Sequence, residues 1–476
     1  MPLMKESTAS MFKLFSTLVQ PFSMVNRSFD LKRVVKRVSP RSKAMGWYAV
    51  SMFFLFSYSN DAVAQSNDYA ARSGSIYSSI GFGLPADASS AHAIGLGLSG
   101  VSFYSPGAPG LTNPAHAGLT TYTLGNIGVG FQNFKAKDDF GSASNSLFSI
   151  DQFQFVAPLK KNRLGFSLSM NPVTRVNYRL FREGDFYPAA DTVGFGVDDS
   201  GIGGVNKIEA GLGYRITKGL SVGYSASVWI ASIQRETAIF FSSTNYVPVS
   251  YSEKVKGVGF GHKFGVQWSR PNTFGKENRL MMGATFQPSV TIEADRDKSG
   301  YKNVGGVAQL IDFEPETSYK KGELKNPNEL NLGITYSVKE HLFISTELLL
   351  QNWSEARYTF DPAQQQAFTD RVRWGAGAQY LPFRRVNKNG FFHNLKYSWG
   401  VSYDEGSFTL NSNRIKTTML HAGVGILNRR STSSIDLSFR VGARGVTDNS
   451  LVRETIWGIG VSLNLAELMF IQPKFQ

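Results

Sequence analysis

Residues Ile208–Ile216 read IEAGLGYRI, with an apolar side chain at every even position and a small or charged one at every odd position. A β-strand places successive side chains on opposite faces, so this alternation predicts a strand with one apolar face. The same pattern returns in Leu220–Ile230 and in Val258–Trp268. These stretches therefore predict long strands that are apolar on one side only.

Further segments of this kind follow along the chain. We count fourteen, centred near Val129, Phe155, Leu168, Leu212, Ser225, Phe264, Ala284, Ile334, Leu348, Ala376, Trp399, Ala422, Phe439 and Ile459. An even number of strands with one apolar face is typical of an outer-membrane barrel. The sequence thus predicts an all-β fold, a 14-stranded antiparallel transmembrane β-barrel over residues 123–476. A soluble β-sandwich is the alternative interpretation.

The links between these segments alternate in length. Short links such as Thr217–Gly219 and Lys339–His341 follow even-numbered segments, whereas longer links include Val176–Val205, Arg235–Val255 and Ala294–Asn328. Outer-membrane barrels have short periplasmic turns and long outer loops. Closure into a barrel also pairs every strand edge, which lipid requires because it offers no hydrogen bonds. Both points favour the barrel over the sandwich.

The composition excludes several kinds of site. The 476 residues include no cysteine, which excludes disulfides, zinc–thiolate sites and cysteine nucleophiles, and the six histidines have no metal-ligand spacing. The net charge is +14, of which residues 1–64 carry +6 and the rest of the chain +8, without one basic run. This distribution gives little support to nucleic-acid binding. We expect no metal, no cofactor and no nucleic acid.

Residues 1–64 are interpreted as a leader that contains a signal peptide. Basic residues precede the apolar run Gly46–Tyr58, and the small-residue site Ala62-Val63-Ala64 follows it. This order predicts export and cleavage before Gln65. The alternative is a membrane anchor, but the run is shorter than the roughly 20 residues that a spanning helix needs.

Residues 65–122 are predicted to form an N-terminal hatch that plugs the lumen. They are rich in Gly, Ser, Ala and Pro and show no clean strand alternation. A wide barrel leaves a lumen that such a segment could fill. The alternative is a disordered periplasmic tail, but apolar residues between Ile76 and Leu111 are too frequent for one.

Two stretches of the predicted hatch resemble a known family. They are Ala93–Ser102, which reads AIGLGLSGVS, and a stretch that contains Asn113, Pro114 and Ala115. This pattern resembles the hatch of FadL-type outer-membrane long-chain fatty acid transporters, in which an Asn-Pro-Ala signature occurs. The order of the parts, a hatch followed by fourteen strands, is also similar to that family.

Two features depart from the family pattern. Pro106–Pro109 replaces the usual approach to the hatch motif, and Phe470–Gln476 continues past the last predicted strand. The second feature resembles a divergent branch of the family, in which some relatives act in secretion or barrel assembly.

The resemblance implies a transport mechanism. FadL-type proteins capture a hydrophobic molecule at the outer loops, the hatch moves, and the molecule leaves sideways through a gap at a kink in strand 3. Asn171-Pro172 is our candidate for this lateral gate, because proline cannot donate to a strand ladder. The alternative is that Pro172 only ends strand 3 near the outer rim.

Three basic side chains are candidate ligand-binding residues in the lumen. An amphipathic ligand needs an apolar channel with a few polar groups, and a carboxylate is expected to meet Arg or Lys. Strand parity turns Arg215, Lys263 and Arg440 inward. The alternative is lumen ion pairing, because parity also turns Glu209 and Asp436 inward.

Other side chains are assigned to the lipid side of the barrel. Trp353 and Trp457 are predicted to belong to aromatic girdles, because tryptophan is enriched at membrane interfaces. Parity also turns His262 towards lipid, and we expect it near a rim.

Two enzyme-like motifs lack the context that their chemistry needs. The spacing Gly95-x-Gly97-x-x-Gly100 matches a dinucleotide fingerprint, but no strand precedes it. The spacing Gly219-x-Ser221-x-Gly223 matches a nucleophile elbow, but no helix follows it. We therefore expect no catalytic residues and no enzyme.

These observations leave functions from different classes. The leading prediction is an outer-membrane channel for passive uptake of long-chain fatty acids or other hydrophobic molecules, with outer-membrane lipid and a hydrophobic small molecule as partners. The alternative is a FadL-like barrel that serves as an accessory subunit of an outer-membrane secretion or protein-assembly complex. A lipid-modifying enzyme is a third class, but no Ser, His and carboxylate motif supports it.

Overall fold

The computed structural model describes residues 74–87, 90–104, 110, 112–139, 141–187, 192–243, 245–305, 307–311, 319–361, 367–382, 391–428, 433–448 and 451–467. Three stretches on which predictions were made lie outside these ranges: the leader and signal peptide of residues 1–64, Pro106–Pro109, and the C-terminal residues 468–476. Among the helices of the described ranges, none is both long and apolar enough to cross a bilayer.

Fourteen antiparallel strands form one closed barrel within the described residues. They are β1 Thr123–Lys137, β2 Ser142–Lys160, β3 Leu164–Phe186, β4 Val193–Arg215, β5 Leu220–Phe241, β6 Val249–Pro271, β7 Arg279–Gln287 continued by Val290–Val304, β8 Tyr319–Asn326 continued by Glu329–Val338, β9 Leu342–Gln351, β10 Arg371–Tyr380, β11 Leu395–Asp404, β12 Thr417–Leu427, β13 Ser434–Arg444 and β14 Arg453–Glu467. The last strand pairs with the first from Thr123↔Glu467 to Lys137↔Arg453, which closes the ring. The predicted all-β, 14-stranded barrel is confirmed.

Shorter elements join or line these strands. The additional strand pieces are Leu84–Pro85, Val307–Leu310, Arg357–Tyr358, Thr409–Leu410 and Asn413–Arg414, and the short helices are Ile76–Ser79, Ala91–Ile94, Pro114–Leu119, Trp353–Glu355 and Phe392–Asn394. Strands β7 and β8 are interrupted at Pro288 and Pro327, where the missing N–H breaks the ladder.

The two faces of the strands follow the predicted parity. On β14 the outward side chains from Trp457 to Leu465 are exposed and apolar, whereas Ser462 and Asn464 between them are buried inside. Burial of polar side chains on the inner face leaves an apolar surface for lipid, as outer-membrane barrels require.

The outer ends of the barrel differ from the predicted loops. Most of Val176–Val205 and Arg235–Val255 is strand, because β3 and β4 pair up to Phe186↔Val193 and β5 pairs with β6 up to Ile239↔Val249. Beyond the lipid, outward-facing residues need not be apolar, so the alternation disappears from the sequence while the ladder continues. The prediction that these two stretches are long outer loops is wrong.

Residues of the N-terminal segment lie inside the barrel. The helix Pro114–Leu119 packs on the inner faces of β4 and β5, and the helix Ala91–Ile94 packs on β12 and β13. Described residues such as Val101, Asn113 and Ala115 are completely buried. We call the described residues between Gly74 and Tyr122 the hatch.

An aromatic cluster fills the outer half of the lumen. Phe82 of the hatch stacks on Trp353 with 5.4 Å between ring centroids, and it also contacts the rings of Tyr358 and Phe368. Trp353 is therefore buried, and its assignment to a girdle is wrong because the chain after β9 folds into the lumen. Trp457 does face outward, beside Phe131.

Candidate functional site

Glycines on the inner wall let the hatch backbone approach the strands closely. A Cβ atom added at any of them would overlap hatch atoms: Gly165, Gly213, Gly223, Gly265, Gly283, Gly375, Gly377 and Gly400. The partners are mostly hatch carbonyl oxygens, such as those of Leu96 and Val101. Docking of the hatch thus explains why glycine occupies these inward positions of the alternating strands.

The predicted hatch motif links the hatch to the wall. Asn113 accepts a hydrogen bond from the backbone N–H of Ala115 at 3.0 Å, which starts the short helix at Pro114. Its Nδ2 donates to the carbonyls of Val101, in the hatch, and of Val266, on β6. The three motif residues therefore lie in a buried position, and the hydrogen bonds of Asn113 connect the hatch to β6 there.

Glu347 on β9 binds the glycine-rich part of the hatch. Its carboxylate accepts hydrogen bonds from the backbone N–H groups of Ser99 at 2.7 Å, Gly100 at 3.0 Å and Val101 at 2.6 Å. Gly100 has a φ of +90°, a conformation that favours glycine. The fingerprint-like glycines thus enclose a carboxylate of the wall instead of a nucleotide phosphate.

A second carboxylate anchor comes from the hatch itself. Asp87 pairs with Arg371 at 2.8 Å and with Arg373 at 3.4 Å, both on β10. Burial opposes ionisation of Asp87, but the two guanidinium groups lower its pKa to about 2. Asp87 is therefore ionised at neutral pH and holds the hatch to this wall.

A third anchor lies near the start of the described chain. Both carboxylate oxygens of Glu454 accept from the Ser75 hydroxyl, and one also accepts from the Ile76 N–H at 2.9 Å. Glu454 is completely buried on β14, beside Arg444. Sequence reasoning missed all three anchors, because Glu347 and Glu454 bind backbone N–H groups that have no signature in the sequence, and Asp87 pairs with arginines that are far away in the chain.

Ser221 of the elbow-like spacing has a structural role. Its hydroxyl donates to the carbonyl of Ala115 at 2.7 Å, which adds another hatch contact. Within the described residues no group of His, Asp and Glu could hold a metal ion.

The three predicted ligand-binding residues lie in different places. Lys263 is buried in the lumen, where it and Lys207 share the carboxylate of Glu209 at 3.7 and 3.1 Å. Arg440 lines an inner cavity. Arg215 lies at the end of β4 and donates to the carbonyls of Thr217 and Lys218 in the adjoining turn.

The described residues leave two cavities in the lumen between the hatch and the wall, besides a larger one at the outer end that borders Ser79 and Ile80. The larger of the two in the lumen, of about 200 Å³, is lined by five arginines and three aspartates, namely Arg175, Arg371, Arg373, Arg440, Arg444, Asp87, Asp151 and Asp404. The smaller, of about 50 Å³, includes Lys263, Asn171 and Pro172. Charged groups thus contribute to the lining of both cavities beside apolar side chains such as Leu98 and Met419, whereas we expected an apolar channel with only a few polar groups.

The wall changes its hydrogen bonding at Asn171-Pro172. The ladder between β2 and β3 ends at Phe153↔Met170, and the register between β3 and β4 shifts between Pro172 and Thr174. Strand β3 itself continues to Phe186, so Pro172 does not end it.

The hatch occupies the edge of β3 that β2 leaves. Leu84 and Pro85 pair with Arg175 and Thr174 in antiparallel orientation. The Ala86 N–H donates to the carbonyl of Val173 at 2.8 Å. We call this place the β2–β3 seam.

Comparisons with known proteins agree with this geometry at the level of the fold. A FadL homologue of Pseudomonas aeruginosa superposes with a TM-score of 0.54 at 12% identity, over 81% of this chain and 99% of the other. The toluene transporter TodX of Pseudomonas putida gives a TM-score of 0.52 at 14% identity, also over 81% and 99%. The predicted FadL-type architecture is therefore confirmed as a fold.

Sequence comparison supplies the family. None of the curated protein sequences matches this chain significantly. The family model described as BamG matches residues 48–476, which is most of the chain. The protein with this plugged, FadL-type barrel belongs to the BamG family.

Proposed function

We propose that the protein is an accessory subunit of an outer-membrane secretion or protein-assembly complex. The observation that carries this proposal is the fixed hatch, which Glu347, Asp87 and Glu454 tie to three different strands of the wall. A barrel that is held closed suits a protein that acts through its surfaces. Membership of the BamG family supports the same view.

The properties of the lumen support a closed barrel. Sites for drug-sized ligands usually measure about 300–1,000 Å³ and are mostly apolar. The two cavities deeper in the lumen measure only about 200 and 50 Å³, and charged side chains contribute to the lining of both, whereas the cavity of about 840 Å³ that borders Ser79 and Ile80 lies at the outer end. The aromatic cluster around Phe82 fills the lumen above them. Passage of a fatty acid would require all these contacts to rearrange.

The cellular location follows from the same proposal. A signal peptide that ends at Ala64 would export the chain, and the apolar outer face of the barrel suits the outer membrane. The function requires no catalytic residue, so we do not regard the protein as an enzyme.

Passive uptake of fatty acids or other hydrophobic molecules is the second candidate function. It is favoured by the β2–β3 seam, which lies where a lateral gate is expected, and by the fold shared with TodX. An outer cavity of about 840 Å³, lined in part by Tyr178 and Phe181, could serve as an entrance. Under this candidate, Lys263 and Arg440 contact the ligand, whereas Arg215 lies outside both lumen cavities.

Deletion of the gene separates the two candidates. We expect uptake of labelled fatty acid to stay normal while the display of surface proteins decreases. Lost uptake with normal surface display would instead support the channel. Purification in mild detergent gives an independent test, because a stoichiometric protein partner supports the subunit and a co-purified fatty acid supports the channel.

A further inference from the structure

Arg440 is a charged side chain of the inner wall. It lies on β13 between His421 of β12 and Gly458 of β14, which are its partners in register. Glycine at position 458 leaves room for the arginine, because a Cβ atom there would lie 3.2 Å from Arg440 Nε. Among the described residues, none forms a hydrogen bond or an ion pair with its guanidinium group. The group lines the inner cavity of about 200 Å³, so its donors are available there.

The other four arginines of this cavity each pair with a carboxylate. The pairs are Arg175–Asp151, Arg371–Asp87, Arg373–Asp87 and Arg444–Glu454, with nitrogen–oxygen distances of 2.8, 2.8, 3.4 and 3.6 Å. Asp404 also pairs with Arg371. These ion pairs use all three aspartates of the cavity, and Arg440 takes part in none of them.

The charges around Arg440 do not compensate its own. They include three guanidinium groups that repel it, those of Arg175, Arg373 and Arg444, and one carboxylate that attracts it, that of Asp151. Asp151 already forms its ion pair with Arg175. Arginine does not lose its proton in a protein, and an interior charge without a partner is strongly unfavourable. Water can accept hydrogen bonds from this group, but only an anion can balance its charge.

The size and the lining of the cavity indicate which anion fits. One water molecule needs only about 10–15 Å³, so about 200 Å³ leaves room for a partly hydrated oxyanion such as phosphate or sulfate. The volume is below the roughly 300 Å³ at which sites for drug-sized ligands begin, and it is too small for a long acyl chain. Gln132, Asn177, Ser402 and Thr417 add hydrogen-bonding side chains to the lining. A phosphate-type oxyanion can also accept two parallel N–H bonds from one guanidinium group.

We infer that this cavity binds one small inorganic oxyanion, of the phosphate or sulfate type, through the guanidinium group of Arg440. Ser75 and Asp87 of the hatch line the same cavity as Arg440 of the wall, so the bound ion helps to hold the hatch in place. The inference goes beyond the proposed function and does not depend on it, because both candidate functions start from a docked hatch.

Titration calorimetry of the purified barrel in non-ionic detergent tests the inference. The protein is dialysed free of phosphate and sulfate, and ions that it retains are measured after denaturation and counted as bound. Inorganic phosphate should bind with saturation at one site per chain, and Arg440→Gln should weaken this binding roughly tenfold or more. If neither phosphate nor sulfate is retained or binds with saturation, or if Arg440→Gln binds equally well, the inference is wrong.

Thermal unfolding distinguishes a binding residue from a structural one. Without an oxyanion, Arg440→Gln should unfold at the temperature of the native protein or above it, because the substitution removes an unbalanced charge. Phosphate should stabilise the native protein and not this variant. Arg270→Gln, which removes an exposed arginine near the end of β6, is the matched control and should respond to phosphate as the native protein does. A variant at position 440 that is less stable without phosphate, with no effect of phosphate on either protein, would show a structural role only and overturn the inference.

A fatty acid is the competing occupant of this cavity. Octanoate carries one carboxylate and a short apolar chain, and it should displace phosphate only at a much higher concentration. Tighter binding of octanoate than of phosphate would overturn the inference and support the channel. The proposed function has a separate outcome, because purification without a stoichiometric protein partner refutes the subunit role and leaves the anion site unaffected.

Discussion

Glu347→Ala is the most informative perturbation of the hatch. The Glu347 carboxylate lies on the inner face of β9, only 4% of the residue is exposed, and it accepts from three consecutive backbone N–H groups. Alanine at this position removes the acceptor without adding bulk. The N–H groups of Ser99, Gly100 and Val101 then lie in a buried site without a partner.

The free energy of this change follows from those contacts. A buried donor left without a partner costs about 1–3 kcal/mol, so three donors would cost about 3–9 kcal/mol together if the loop did not move. Local relaxation and water will recover part of this amount, and we expect about 3 kcal/mol. Since about 1.4 kcal/mol corresponds to a factor of ten, the undocked hatch should become roughly a hundredfold more populated.

Cysteine labelling measures this population. The chain contains no cysteine, so a single Ala93→Cys substitution in the buried hatch gives one reactive thiol. Its labelling rate by a water-soluble maleimide, in the folded barrel in detergent, should increase by about the same factor of a hundred when Glu347 becomes alanine. The ion conductance of the barrel in planar bilayers should also increase.

A matched variant controls for general damage to the wall. Glu329→Gln changes another carboxylate of the inner wall, which accepts from Gln351 on the neighbouring strand and not from the hatch. It should leave the labelling rate of the cysteine at position 93 unchanged. Equal labelling rates with and without Glu347→Ala would refute the view that this carboxylate holds the hatch.

Three further predictions follow from other contacts of the hatch. Because the pKa of Asp87 is lowered to about 2, its ionised form should contribute about 2 kcal/mol to the free energy of unfolding. This contribution should be complete above about pH 4 and should be lost as the pH falls towards 2. Thermal unfolding should show the loss in the native protein and not in Asp87→Asn. Gly377→Ala should displace the hatch because the new Cβ overlaps the Leu96 carbonyl oxygen. Gly125→Ala should be tolerated because no atom lies within 4 Å of its Cβ. The cysteine at position 93 should therefore be labelled faster in the first variant and at an unchanged rate in the second. Pro172→Val should allow the β2–β3 ladder to lengthen, so amide exchange beside the β2–β3 seam should slow down. Unchanged exchange would contradict the view that Pro172 ends this ladder.

The barrel could be predicted from the sequence because lipid imposes a simple rule on its strands. The side chains of Ile208–Ile216 alternate strictly because lipid contacts one face and the lumen the other. The same rule placed Glu209 and Lys263 inside, where the structure joins them as an ion pair. The rule no longer applies where β3 and β4 leave the membrane, so their outer halves were mistaken for loops.

The site was only partly predictable, because parity gives direction and not depth. Arg215 has the parity of a lumen residue, but its place at the end of β4 lets it bond to the adjoining turn. Trp353 follows an apolar strand as a girdle residue would, but it packs on Phe82 of the hatch. Depth depends on where each strand ends, and that is set by contacts between distant segments.

The hatch anchors could have been suspected from one signal. Glu347 is the single charged residue of β9, a strand whose other residues are all uncharged and mostly apolar. An acid in such a strand requires a compensating partner. Its partners are backbone N–H groups that lie 246 to 248 residues earlier in the chain. No sequence pattern connects Glu347 with these groups.

The mass of the protein as purified from native outer membranes in mild detergent tests the central claim most directly. A closed subunit predicts a complex that contains this chain and a second protein in a fixed ratio, with no apolar molecule in the lumen. A monomer that carries a bound fatty acid or another hydrophobic molecule would contradict the account.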